Sequence, residues 1–169
     1  MKLLVLILAG GGWLQAHACE CIPPLSETGM REANRIYTFV LLESESDRPR
    51  GTNMVAREVV SKVRVLSRVR GEAPPATVRY YRGGCCGTRM RAGGYYAAFL
   101  REPGDTVGME NLLYLGENER AYARTLASVH ALLGQATPLP RGVLEASYER
   151  LYGGPPPPPE PKARKHSTK

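Results

Sequence analysis

The chain has 169 residues, 43% of them hydrophobic and 23% charged, and its 23 lysines and arginines against 16 acidic residues give a formal net charge of +7. That length leaves room for one domain with a real core, and the basic balance favours acidic partners or anionic envelope surfaces without specifying a fold. Of the three histidines, His17, His130 and His166, a folded domain would retain only His130, which excludes a His-rich metal site; no Ser/His/Asp set is visible either, so the chain reads as a non-enzyme with no cofactor.

The first segment joins Lys2, an apolar run at 3–9 (LLVLILA) and the small pair Ala16-x-Ala18. This is the pattern of a signal peptide, residues 1–18, cut after Ala18. The run is about half the ~20 residues that span a bilayer, so no transmembrane segment is expected after cleavage. The expectation is a secreted or periplasmic protein; because a cysteine follows small residues, lipoprotein anchoring at Cys19 is an alternative.

Cleavage leaves Cys19 as the first residue, with a free α-amine. The four cysteines form two tight clusters, Cys19/Cys21 and Cys85/Cys86. In an oxidising compartment an even number reads as disulfides. Pairing inside either cluster would need a small strained ring, so two bridges between the clusters are expected. Each closes a long loop, worth about 4 kcal/mol in chain-entropy terms before coupling and strain. A Cys-x-Cys redox site is the alternative, although the Cys-x-x-Cys arrangement of thioredoxin-like motifs is missing.

Residues 26–34 (SETGMREAN) suit a short helix and 35–43 (RIYTFVLLE) an apolar strand, followed by a polar, turn-rich loop at 44–53. From 54 to 70, Val55, Val59, Val63, Val65 and Val69 fall on one parity and Glu58, Lys62, Arg64, Arg68 and Arg70 on the other. This alternation predicts a long half-buried strand whose polar face is basic. After the break GEAPPA at 71–76 come a strand at 77–82, a glycine-rich corner around Cys85 and Cys86, a strand at 94–100, a turn-rich loop at 101–108 and a last short strand at 111–115.

The period then changes. Asn118 is an N-cap for a helix through Leu133, with Tyr122, Leu126, Val129 and Leu133 as its apolar stripe and Gly134 as its stop. On this helix Glu117, Glu119, Arg120 and Arg124 read as a solvated face, and His130 as a surface or core-edge residue. A second helix at 142–152 places Leu144, Tyr148 and Leu151 on one face. The prolines at 155–159 force an extended polyproline segment, and the tail ends KARKHSTK. The resulting organisation is a barrel at 19–115, a helical part at 116–152 packed on it, and a disordered Pro-rich basic tail at 153–169.

Short strands, a glycine corner and flanking helices fit a mainly β, OB-like five-stranded Greek-key barrel, with a sandwich as the alternative. Three blocks also resemble the netrin-like module. They are the start Cys19-x-Cys21-x-Pro23, the Val-rich strand ending Val69-Arg70-Gly71, and Cys86-Gly87 followed by Gly94-Tyr95-Tyr96. That module is shared by tissue inhibitors of metalloproteinases, complement C-terminal domains and bacterial secreted relatives. The resemblance implies an OB-like barrel with a helix against it, and a disulfide from Cys19 to Cys86; Cys21 with Cys85 is then the remaining pair. It also implies a partner. In the inhibitors the α-amine and carbonyl of the terminal cysteine chelate a metalloprotease zinc and the next residue enters the specificity pocket, which makes Cys19, Glu20 and Cys21 the candidate contact residues. Where the inhibitors carry a small hydroxyl residue, this chain has Glu20.

A second candidate surface is basic. Arg64, Arg68, Arg70, Arg79, Arg82, Arg89 and Arg91 lie close together in sequence with Tyr80, Tyr81, Tyr95 and Tyr96 interleaved. On one barrel face such a set would bind a polyanion. Export makes an anionic glycan or lipopolysaccharide the expected partner and a nucleic acid not. The sequence therefore leads to a stapled interaction or structural module, with zinc-protease inhibition and polyanion binding as alternatives.

Overall fold

The computed structural model describes residues 23–43, 56–84, 86–104 and 106–153. The expected signal peptide, Cys19, Glu20, Cys21, the loop at 44–53, Met54 and Val55 at the start of the predicted long strand, Cys85 and the Pro-rich tail beyond Gly153 lie outside the described residues. In chain order the elements are α1 (Glu27–Glu32), β1 (Arg35–Leu41), β2 (Arg57–Arg70), β3 (Thr77–Arg82), β4 (Tyr95–Leu100), β5 (Leu112–Gly116), α2 (Glu119–Gln135) and α3 (Val143–Tyr152). The five strands form one antiparallel sheet in the order β3-β2-β1-β4-β5. The sheet is open. A parallel bridge, Arg79 to Thr106, joins outer strand β3 to the segment ahead of β5.

The middle of the sheet is buried on both faces, which is why β1, β4 and β5 are almost continuously apolar in sequence. Odd residues of β1 (Tyr37, Phe39, Leu41) and even residues of β4 (Tyr96, Ala98, Leu100) enter one core cluster with Val59, Val63, Val78 and Tyr80 from β2 and β3. Ile36, Ala97, Phe99, Leu113 and Leu115 enter the other, under Met30 of α1 and Val129 and Leu132 of α2. Leu151 of α3 closes the first cluster.

On β2 the expected alternation holds through Val59, Ser61, Val63 and Val65, then fails. The register with β1 shifts between Thr38 and Phe39 and again between Ile36 and Tyr37, so that Val65 faces Phe39, Ser67 faces Thr38, Arg68 faces Tyr37 and Arg70 faces Ile36. Two bulges place extra residues on β2 and turn Ser67 toward the helices, where Thr38 Oγ1 lies 2.8 Å from Ser67 Oγ and 3.0 Å from Tyr122 Oη. Arg68 consequently lies on the opposite face from Arg64 and Arg70.

Asn118 caps α2 as expected, its side chain accepting the Ala121 N–H at 3.0 Å. Gly134 is not the stop. The helix continues to Gln135 and ends where Ala136 adopts a left-handed conformation (φ 54), its N–H donating to Ala131 O. Gly134 has nothing near its Cβ position, so it sits on an open helix face and imposes no turn. In α3 it is Gly153 (φ 76) that ends the helix.

Candidate functional site

The glycine corner between β3 and β4 is pinned to its surroundings residue by residue. Gly83 and Gly84 take left-handed conformations (φ 79 and 64), which glycine adopts without a steric penalty. A Cβ on Gly87 would lie 2.1 Å from Gly83 O, so the corner closes on itself too tightly for a side chain. The Thr88 N–H then donates to Tyr81 O at 2.7 Å, the Arg89 N–H to Leu151 O at 2.7 Å, and the Arg91 N–H to Tyr96 Oη at 2.8 Å. The corner is thereby tied to β3, to the last turn of α3 and to β4.

Cys86, within this corner, is half-buried and disulfide-bonded; its partner lies outside the described residues. The incoming N-terminal segment reaches the same end of α3. The Leu25 N–H donates to Met109 O at 2.8 Å, and Pro24 and Leu25 line a small cavity with Ser147, Tyr148, Leu151 and Tyr152 of α3. The last turn of α3 therefore touches both the segment that follows Cys21 and the corner that holds Cys86.

Aromatic side chains fill the space behind. Tyr37, Phe39, Tyr96 and Tyr114 form a chain with ring centroids 5.6 to 5.8 Å apart. Burial pushes the Tyr96 phenol up to about 12, partly opposed by its bonding to the Arg91 main chain. Burial also raises the Tyr152 phenol, with Thr88 beside it acting in the opposite direction.

The arginine set does not form one face. Arg70 Nη1 donates to Arg31 O and Ala33 O, at 3.0 and 2.8 Å, closing the C-terminal end of α1. Arg79 pairs with Glu58 at 3.4 Å. The bulges of β2 separate Arg68 from Arg64. Arg82, Arg89 and Arg91, by contrast, come together around a cleft of about 760 Å³ whose other walls are Gly83, Gly84, Gly87, Met90 and Tyr152. Arg82 also stands directly opposite Arg57 across the β2–β3 pair. A neighbouring cleft of about 680 Å³ shares Arg89 and Arg91 and adds Tyr114, Glu117, Glu149 and Arg150. There Arg150 pairs with Glu117 and stacks 5.5 Å from the Tyr114 ring centroid.

Tyr152 and Arg150 escaped the sequence reading. The helical period of 142–152 placed Tyr148 and Leu151 inward, and Tyr152, one turn after Tyr148, follows by the same rule; Arg150 carried no local signal. Among the described residues no group of three or more His, Cys, Asp or Glu side chains could hold a metal ion, and no helix is long and apolar enough to cross a membrane. Compared with known proteins, the chain matches no family model and no curated protein.

Proposed function

We propose that this protein is an exported, disulfide-stapled interaction module of the netrin-like type, whose N-terminal segment is anchored at the glycine corner. The observation that carries this reading is the convergence on the last turn of α3: Pro24 on one side, and on the other the corner that contains the disulfide-bonded Cys86. Bridges from Cys19 to Cys86 and from Cys21 to Cys85 are compatible with that approach. The strand order supports the barrel. β3 and β5 are the two outer strands of the sheet, as a barrel that closes between them requires, and the parallel Arg79–Thr106 bridge joins β3 to the segment ahead of β5.

Glu20 favours an anchor over a protease probe. A terminal α-amine with a pKa near 8 is partly neutral at pH 7 and able to bind zinc, but a Glu20 carboxylate entering an apolar specificity pocket would have to be desolvated without a partner. A preparation beginning at Cys19 is expected to leave zinc metalloproteases active. Inhibition that disappears when one alanine is added ahead of Cys19 would instead assign the terminal-amine mechanism.

A second reading, binding of an anionic partner, is favoured by the cleft that gathers Arg82, Arg89 and Arg91 with no carboxylate among its described lining residues. It predicts retention on heparin that weakens steeply with salt.

A further inference from the structure

We propose that the cleft between the glycine corner and the end of α3 is a binding site for a compact dianionic group, a phosphate monoester, held by Arg89 and Arg91 with Arg82 at its rim. The inference deepens the anion-binding reading and rests on it. Guanidinium forks match phosphate oxygens two at a time, and such charge-assisted bonds are the strong ones.

Four features make this a built site and not a diffuse basic surface. The first is preorganisation: the main chains of Arg89 and Arg91 are fixed by bonds to Leu151 O and Tyr96 Oη, and the Arg89 guanidinium lies against Gly153 at the end of α3. The second is access. Gly83 and Gly84 are exposed at the cleft wall, and no Cβ stands between their main chain and a ligand. The third is charge concentration, since Arg89 and Arg91 line one cleft, with Arg82 at its rim and no carboxylate among its described lining residues. The fourth is a boundary. Beyond Arg89 and Arg91 the neighbouring cleft carries Glu117 and Glu149, so a long polyanion continuing in that direction would meet carboxylates, whereas a single phosphate would not. The volume of about 760 Å³ accommodates a phosphorylated sugar.

Two sources carry this group, a soluble sugar phosphate and a phosphorylated lipid headgroup. The test uses the mature exported protein at constant ionic strength. It is titrated with glucose 6-phosphate against glucose, and separately mixed with phosphatidylcholine vesicles containing phosphatidic acid against phosphatidylcholine alone. Binding in either arm is expected to weaken about tenfold or more in Arg89→Ala and in Arg91→Ala, and to stay within about twofold in Arg64→Ala and Arg68→Ala. Circular dichroism of each variant establishes that the fold is kept, and Arg89→Lys, which retains the charge but not the fork, is expected to fall between Arg89→Ala and the parent. Binding in the first arm alone assigns a soluble ester; binding in the second alone assigns a lipid. Absence of binding in both arms, or equal losses in the Arg64 and Arg68 variants, overturns the site. If heparin is still retained in a salt-dependent way when both arms fail, the broader anion reading survives without the site; if heparin passes through as well, both fall.

Discussion

The Val107 N–H donates to the carbonyl of Arg79 at 2.7 Å, and this contact covers the outer edge of β3. Together with the Thr88 N–H on Tyr81 O it occupies acceptors that an open edge would otherwise offer to another chain. Val107 is itself buried in the first core cluster. Val107→Pro removes the donor and is expected to cost roughly 1–3 kcal/mol or more in urea denaturation, with an increased tendency to self-associate. A variant as stable as the parent and no more prone to self-associate would show that the bridge is incidental.

At the other edge the Tyr114 N–H of β5 donates to Ser147 Oγ of α3 at 2.8 Å. Ser147 is buried, so its loss leaves the strand N–H without a partner. Ser147→Ala is expected to destabilise by about 1–3 kcal/mol. Ser128, on α2, only bonds back to Arg124 O one turn earlier, and Ser128→Ala should change stability by less than about 0.5 kcal/mol. Equal effects in the two variants would contradict the edge-capping role.

Gly116 and Gly134 should respond to alanine with opposite signs. Gly116 has φ +141, and a Cβ there would lie 2.5 Å from the Ala121 Cβ, so Gly116→Ala is expected to cost on the order of 2 kcal/mol or more. Gly134 sits inside α2 with open space around it. Gly134→Ala should stabilise by about 0.5–1 kcal/mol. Thermal denaturation of the two variants against the parent reads both shifts.

Tyr96 makes the fold sensitive to alkali. Burial raises its phenol to about 12 in the folded chain, against about 10 when unfolded. Because the neutral form is the one the fold favours, its contribution is complete below pH 10 and is lost as pH rises from 10 through 12. The loss is on the order of 2–3 kcal/mol. Tyr96→Phe should flatten the decline of stability over that interval while losing the bond to the Arg91 N–H. An unchanged slope would mean that Tyr96 is not the titrating group.

The fold was legible wherever a segment's chemistry is local. The apolar runs of β1 and β4, the first half of β2, and the Asn118 cap each follow from residues within one turn or one strand. What lay beyond was set by distant partners. The bulges of β2 arise from its pairing with Thr38 and Phe39, so no inspection of the β2 valines alone reveals that Ser67 turns toward Tyr122. Gly134 looked like a helix stop because glycine permits a left-handed turn; it does not require one, and Ala136 made it instead. The arginines were legible as a number and not as a place. Their division among the end of α1, Glu58 and the cleft depends on register and on the return of α3 to the glycine corner, neither of which is encoded near the arginines themselves.

Non-reducing peptide mapping, with the intact mass, tests the proposed export and N-terminal anchor. The expected result is a mature chain that begins at Cys19 without lipid, a peptide joining the 19–21 segment to the 85–86 segment, and two bridges assigned to Cys19–Cys86 and Cys21–Cys85. A vicinal Cys85–Cys86 bridge, a Cys19–Cys21 ring, or free thiols at the N-terminus would contradict it.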